Sequence, residues 1–339
     1  MKAIVISKKS SSVADQIEIK DIKKPVVQNG HAIIKSEATA LNHLDLWVGR
    51  GLPGLNTKFP FVSGSDGCGI VESVGEDVDT SWIGKRVVVN AAVPFINTVN
   101  STKSIKMIGE HLAGTHSEFF TAPISNLLPI KSNDPIKAAG FGLVFLTAWS
   151  MLVTKGNINK NSKLLITGIG GGVALACLEI ARHFGCKTFV TSRHEWKLTE
   201  AKNLGAHEII HDQGQDFSST IRKLTKSKGV DIVADSIGSS VHNSCLKSLA
   251  DNGKLILPGC TSGNIAQTDL ARIFWKQLSI IGSTMGNMDE FKEAVELFDN
   301  NKIKPKIDTV FEWKKGKDAY KKLEEGSQFG KIVIDWRSN

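Results

Sequence analysis

No two of the five cysteines, Cys68, Cys177, Cys186, Cys245 and Cys260, form a Cys-x-x-Cys pair, and their number is odd. A disulfide framework and a zinc ribbon are therefore excluded, and reduced thiols are expected. Long apolar runs are also lacking. The longest read as strand-length pieces such as Lys163–Thr167, short of the roughly 18 residues that cross a bilayer, and the opening MKAIVIS lacks a signal-peptide layout. A cytoplasmic chain with no membrane partner is expected. Charge of one sign is not gathered into a block: 42 Lys and Arg against 34 Asp and Glu leave +8, spread along the chain. Such an excess suits a polyanionic ligand and equally an ordinary Lys-rich surface. Basic and aromatic residues do not interleave along a stripe, so no nucleic acid partner is expected. Internal repeats and low-complexity linkers are absent. What is present is an ordinary globular composition, 41% hydrophobic and 22% charged over 339 residues, long enough for two domains of about 150 residues each.

Periodicity divides the chain. Lys2–Ser7, Ile17–Ile22, His31–Ala38, Gly69–Val74 and Arg86–Asn90 are short alternating or β-branched runs broken by Gly, Asn and Pro, the spacing of a compact, partly closed β-barrel. From about residue 135 strands alternate with helices: Lys163–Thr167, a helix to Gly185, then strands at Thr188–Thr191, Ile232–Asp235, Lys254–Leu257 and Leu278–Ser283. That alternation predicts an α/β fold with a doubly wound parallel sheet. A helix around Met288–Asn300 and a last strand, Lys331–Asp335, close the chain, the strand rejoining the first domain.

The strand at Lys163–Thr167 runs into Gly168-Ile-Gly-Gly-Gly-Val-Ala174 and then into a helix with Val173, Ala176, Cys177, Ile180, Ala181 and Phe184 at helical spacing. A dinucleotide's pyrophosphate needs this context, because glycine lets the backbone turn sharply and approach it while the helix's first N–H groups face it. Gly168, Gly170, Gly171, Gly172 and Val173 are the candidate contacts. The G-x-G-x-x-G/A fingerprint is incomplete: the register ending at Ala174 puts Gly171 in the middle but Ile169 first. About 20 residues on, the second strand ends Thr191-Ser192-Arg193, with Lys197 following and no acid at its tip. An acid there would bind the ribose hydroxyls of NAD, whereas a basic tip accepts a 2′-phosphate. Ser192, Arg193 and Lys197 thus favour NADP over NAD, unless they are solvated helix-start residues.

Several segments together resemble the medium-chain dehydrogenase/reductase superfamily, in its zinc-type alcohol dehydrogenase-like and quinone oxidoreductase-like branches. They are Ala40–Trp47, Gly64–Val71, Ile108–His111, Leu146–Trp149, the Gly-rich turn, Ala201–Ala206 and Lys276–Thr284. The resemblance implies a chaperonin-10-like β-barrel substrate domain at 1–123 and 300–339, a Rossmann domain at 124–299, and a homodimer. It also implies where zinc would sit, at positions held here by Asn42, Ser65 and, approximately, Leu143. None of these is a normal zinc ligand. His43 and Asp66 are the only nearby groups that could improvise a site, and the four-cysteine lobe of the family's second zinc, at Asn90–Glu110, has no cysteine. No zinc is expected.

Without a Lewis acid a carbonyl is polarised by hydrogen bonds alone, which disfavours simple alcohol oxidation. Conjugated acceptors are easier, because the enolate or phenolate formed spreads its charge. The expectation is an NADPH-dependent quinone or enone/alkenal reductase. Asn42 and His43 are the candidate donors, His43 alternatively contacting the cofactor ribose. Asp45 is the candidate anchor behind them or a buried residue holding the loop. His111 either reaches the substrate or fixes its own loop, and Thr147 either lines the nicotinamide side or is simply packed. Trp47, Trp149, Phe61, Phe95 and Phe145 either wall the substrate or fill the core. The one tyrosine, Tyr320, lies on the family pattern far from the nicotinamide, which rules out a Tyr–Lys acid pair. Two alternatives stand beside this reading: a zinc-type alcohol dehydrogenase-like enzyme acting on alcohols and aldehydes, and an NADPH-binding module with little turnover, with or without RNA as its partner.

Overall fold

The strand Lys163–Ile166 organises one half of the protein, seen in a computed structural model that describes residues 1–52, 54–96 and 103–338. Its Leu164, Leu165 and Ile166 are buried, as a central parallel strand covered on both faces requires. Around it six parallel strands follow the order Glu208–His211, Lys187–Ser192, Lys163–Ile166, Val230–Ala234, Leu249–Leu257, Ser279–Gly282. The chain builds outward from Lys163–Ile166 to one edge and then returns to build toward the other. Its order therefore reverses beside the first strand, where the turn Thr167–Gly171 begins, and this reversal is where doubly wound sheets bind ligands. Leu165, Phe189, Ile210, Val233, Leu246 and Leu255 form the core of this half.

The other half is a largely antiparallel sheet ordered Ile307–Glu312, Lys331–Asp335, His31–Ala40, Asp66–Val74, Arg86–Val89, Leu127–Pro129, with Phe119–Pro123 also on His31–Ala40. Lys331–Asp335 rejoins the first domain as expected, pairing antiparallel through Val333–Asp335 with Ala38–Ala40. Lys2–Ile6 pairs with Ile17–Asp21, and Ala92–Ile96 with Lys103–Met107. Its core gathers Ile4, Ile6, Leu46, Tyr320, Ile332 and Ile334.

The protein divides into two compact units, Met1–Leu143 with Asn287–Asp299 and Pro305–Asn339, and Val144–Gly286 with Asn300–Lys304. These differ from the domain limits expected from sequence in where 124–143, Asn287–Asp299 and Asn300–Lys304 fall. The contacts that draw the first two in are specific: Leu143 N–H donates to Asp66 Oδ1 at 2.6 Å, and Asp299 accepts from the Lys131 and Ser132 N–H groups at 3.0 and 3.2 Å.

One element corrects the sequence reading. A helix at Pro135–Trp149 continues through a π-helical turn, Ser150–Lys155, for 21 residues, long and apolar enough to cross a membrane by composition alone. It is 78% buried within the protein over its most apolar stretch, which makes it a core helix. A helix covered on all sides needs no polar face and shows no periodicity to read.

Candidate active site

The glycine-rich turn is built as a phosphate cradle. Gly168 and Gly170 adopt φ +63° and +121°, conformations L side chains rarely take, and turn the chain sharply after Ile166. The turn is pinned from below by Ile169 N–H to Thr191 O at 2.7 Å and Gly168 N–H to Thr191 Oγ1 at 3.2 Å. Gly171 caps the helix Gly172–His183 in an extended conformation. Leu175 N–H, bonding Gly171 O, is the first donor inside this helix, so the N–H groups of Gly172, Val173 and Ala174 precede the ladder and have no helical acceptor. A Cβ added at Gly171 would meet nothing within 4 Å. The glycine is thus not required by packing, and the open space in front of it suits an approaching phosphate. The helix ends at His183 rather than Gly185, because Gly185 at φ +71° turns the chain out of it.

At the tip of Lys187–Ser192, Ser192 is buried and its Oγ accepts His194 N–H at 3.1 Å, while Arg193 is exposed. Glu195, two residues on, faces His211 Nδ1 at 3.3 Å. Lys197 is not a solvated helix-start residue: it is 8% exposed, with Nζ 5.2 Å over the Trp196 ring. Thr147 is buried in this unit with Oγ1 3.7 Å from Met285 Sδ. Phe145 and Trp149 are also buried.

In the other unit Asn42, Asp45, Asp66 and Lys331 come together in a buried polar centre. Lys331 Nζ donates to Leu41 O at 2.8 Å, Asn42 Oδ1 at 2.6 Å and Asp66 Oδ2 at 2.9 Å. Asn42 Nδ2 donates to the same Asp66 Oδ2 at 2.9 Å, and Asp66 Oδ1 accepts Leu143 N–H. Asp45 ties down the loop around them, its carboxylate accepting Asn42 N–H at 2.7 Å and Gly64 N–H at 2.8 Å. His43, one residue from this centre, is exposed and packs edge-on against Trp47 at 5.4 Å. Loss of surrounding water, and then the Arg50 charge, hold its imidazole below the usual pKa, with Asp45 opposing. His111 fixes its own turn by accepting Met107 N–H on Nδ1 at 3.2 Å. Tyr320 is fully buried with its hydroxyl 2.5 Å from Ser63 Oγ, and burial pushes the phenol well above its usual range. Phe61 packs against the core of this unit, and Phe95 lies under Lys106 Nζ at 5.1 Å.

These residues do not fit zinc. Asn42 has its amide oxygen on an ammonium, Ser65 Oγ donates to Ile108 O at 2.7 Å, and Leu143 has no donor on its side chain. Asp66, the carboxylate that could improvise, has both oxygens engaged. The stretch Asn90–Glu110, where the second zinc lobe would fall, lies partly outside the described residues, at 97–102. Lys331 escaped the sequence reading because nothing near it in the chain marks it; it meets Asn42 across 289 residues.

Comparison with known proteins agrees with this architecture. The family profile described as zinc-binding dehydrogenase matches residues 172–300, and that of the alcohol dehydrogenase GroES-like domain matches 28–132. The chain is 28% identical over 349 residues to a zinc-type alcohol dehydrogenase-like protein, YogA, of Leptosphaeria maculans, covering 96% of each. With the quinone oxidoreductase of Mus musculus it shares 26% identity over 324 residues, covering 93% of this chain and 92% of the mouse protein. A crystal structure of an NAD-dependent alcohol dehydrogenase superposes with a TM-score of 0.91 at 32% identity, covering 99% of this chain and 100% of that one.

Proposed function

Because the chain belongs to the medium-chain dehydrogenase/reductase superfamily of oxidoreductases, we propose that it is an NADPH-dependent reductase of quinones or of enones and alkenals, working without a metal ion. The observation that carries this reading is the Asn42–Asp66–Lys331 centre: Asn42 stands at one of the positions the resemblance gives to zinc, and its amide is bound to an ammonium and a carboxylate there instead of presenting a thiolate or imidazole. NADPH, when bound, supplies the hydride. Gly168, Gly170, Gly171, Gly172 and Val173 would hold its pyrophosphate, and Ser192, Arg193 and Lys197 its 2′-phosphate, Arg193 offering a planar pair of donors. His43, its imidazole held toward the neutral form by loss of surrounding water, offers an N–H to the acceptor's oxygen or to the cofactor ribose. Asn42, expected as a donor, spends an amide N–H on Asp66 and takes the Lys331 ammonium on its oxygen, so it positions the centre, and Asp45 keeps its loop in place. Such weak donors suffice where the substrate itself spreads the developing charge.

The same reading places the substrate domain at 1–123 and 300–339 and the Rossmann domain at 124–299, in a cytoplasmic homodimer. Four of the five cysteines are buried and all are unpaired, which suits a reducing compartment. The NAD dependence of the 32% identical neighbour favours the opposite coenzyme and makes the choice worth measuring directly. The test is oxidation of NADPH and NADH by metal-stripped protein against quinones, alkenals, enones and simple aldehydes, ranked by kcat/KM. Conjugated acceptors should lead simple aldehydes by about tenfold or more. Simple aldehydes in the lead would favour an alcohol dehydrogenase. No turnover, with high absorbance at 260 nm or salt-dependent retention on heparin, would favour a binding module.

A further inference from the structure

We propose that the Lys331 ammonium is a resident cation: beside Asn42, one of the positions the family resemblance gives to zinc, it supplies from within the chain the positive charge that Asp66 needs, and so closes the centre to divalent metals. The geometry is complete for an ammonium. Its three hydrogens meet three oxygens, Leu41 O, Asn42 Oδ1 and Asp66 Oδ2, at 2.6–2.9 Å. These distances match N–H···O bonds and exceed the roughly 2.0–2.2 Å of zinc or magnesium to oxygen and most of the 2.3–2.6 Å range of calcium. The side chains of Lys331 and Asp66 are 4% and 0% exposed, so neither charge has water as an alternative partner. Both oxygens of Asp66 are already engaged, Oδ2 also accepting from Asn42 Nδ2 and Oδ1 from Leu143 N–H. Gly142 shows how tightly the carboxylate is seated: a Cβ there would lie 2.5 Å from Asp66 Oδ1. A buried carboxylate with these contacts demands a cation, and the last strand of the sheet delivers one.

The inference is independent of which acceptor is reduced, because its test reads stability and metal content. Lys331→Ala removes the ammonium and leaves the oxygen cradle. Its thermal midpoint should rise, saturably and by at least about 2 °C, in methylammonium chloride relative to sodium chloride at equal ionic strength. The unsubstituted protein and the Lys331→Ala/Asp66→Asn double variant should respond alike to the two salts. If Lys331→Ala does not fold, the double variant should, because it removes both charges together. Elemental analysis of the unsubstituted protein equilibrated with zinc should show no zinc that Asp66→Asn abolishes. Equal response of folded Lys331→Ala to both salts would overturn the proposal. So would a double variant no better folded than an unfolded Lys331→Ala, or stoichiometric zinc that depends on Asp66.

Discussion

Arg193 is the residue on which coenzyme choice turns. It stands exposed at the end of the second strand of the Rossmann sheet, while Glu195, two residues on, lies 3.3 Å from His211 Nδ1. A charge-assisted contact to the 2′-phosphate is worth roughly 1.5–3 kcal/mol, or about ten- to a hundredfold in affinity. NADPH should bind at least about tenfold more tightly than NADH, and Arg193→Ala should erase most of that gap with little change for NADH. Titration of both coenzymes by tryptophan quenching at fixed salt checks this; equal affinities before substitution would make Arg193 an ordinary surface residue. Two histidines set a pH response. The imidazoles of His43 and His242 are held below their ordinary pKa chiefly by loss of surrounding water, whereas an unfolded imidazole titrates at about 6.5. Protonation therefore favours the unfolded chain, and the stability present above about pH 6.5 is lost as the pH falls through it. His43→Gln and His242→Gln should each flatten part of the fall in thermal midpoint between about pH 7 and pH 5; an unchanged slope in both would remove this assignment. Arg193 was legible in the sequence because it sits at a fixed distance from a local motif. Lys331 was not, because its partners are assembled only by the sheet.

At the scale of the element, two glycines in different settings separate a functional constraint from a packing one. Gly171 has an ordinary negative φ and open space around its missing side chain. Gly171→Ala should leave the thermal midpoint almost unchanged yet weaken NADPH binding by about tenfold or more, near 1.4 kcal/mol. Unaltered binding would reduce the turn to a strand-to-helix connection. A Cβ added at Gly142 would lie 2.5 Å from Asp66 Oδ1, so Gly142→Ala should destabilise the fold by about 1–3 kcal/mol, read by denaturant unfolding. The strand, turn and helix at Lys163–His183 were readable because their pattern is local. The helix through Pro135–Lys155 was not, because a segment buried on every side alternates nothing.

On the scale of the whole molecule, the parallel sheet ends at Ser279–Gly282, a strand paired on one side only in the described chain. Ile280 on it and Leu270, Phe274 and Trp275 on the helix before it are 41%, 71%, 63% and 76% exposed. An open edge beside exposed apolar side chains is covered most simply by a two-fold copy. Light scattering at micromolar concentration should give a dimer, and Ile280→Lys should shift it toward monomer; a sharply monomeric unsubstituted protein would contradict the assembly. The order of strands and helices was legible from alternation alone, but which first-domain strand pairs with the chain's last was not, since long-range pairing leaves no local trace. The central claim is hydride transfer to a conjugated acceptor with no metal at the Asn42–Asp66–Lys331 centre. An anaerobic single turnover tests it: metal-stripped protein loaded with NADPH is mixed with a quinone or an enone, and the loss of nicotinamide fluorescence is followed with and without added zinc. The account predicts prompt loss at a rate that zinc does not raise; no loss, or loss only once zinc is added, would contradict it.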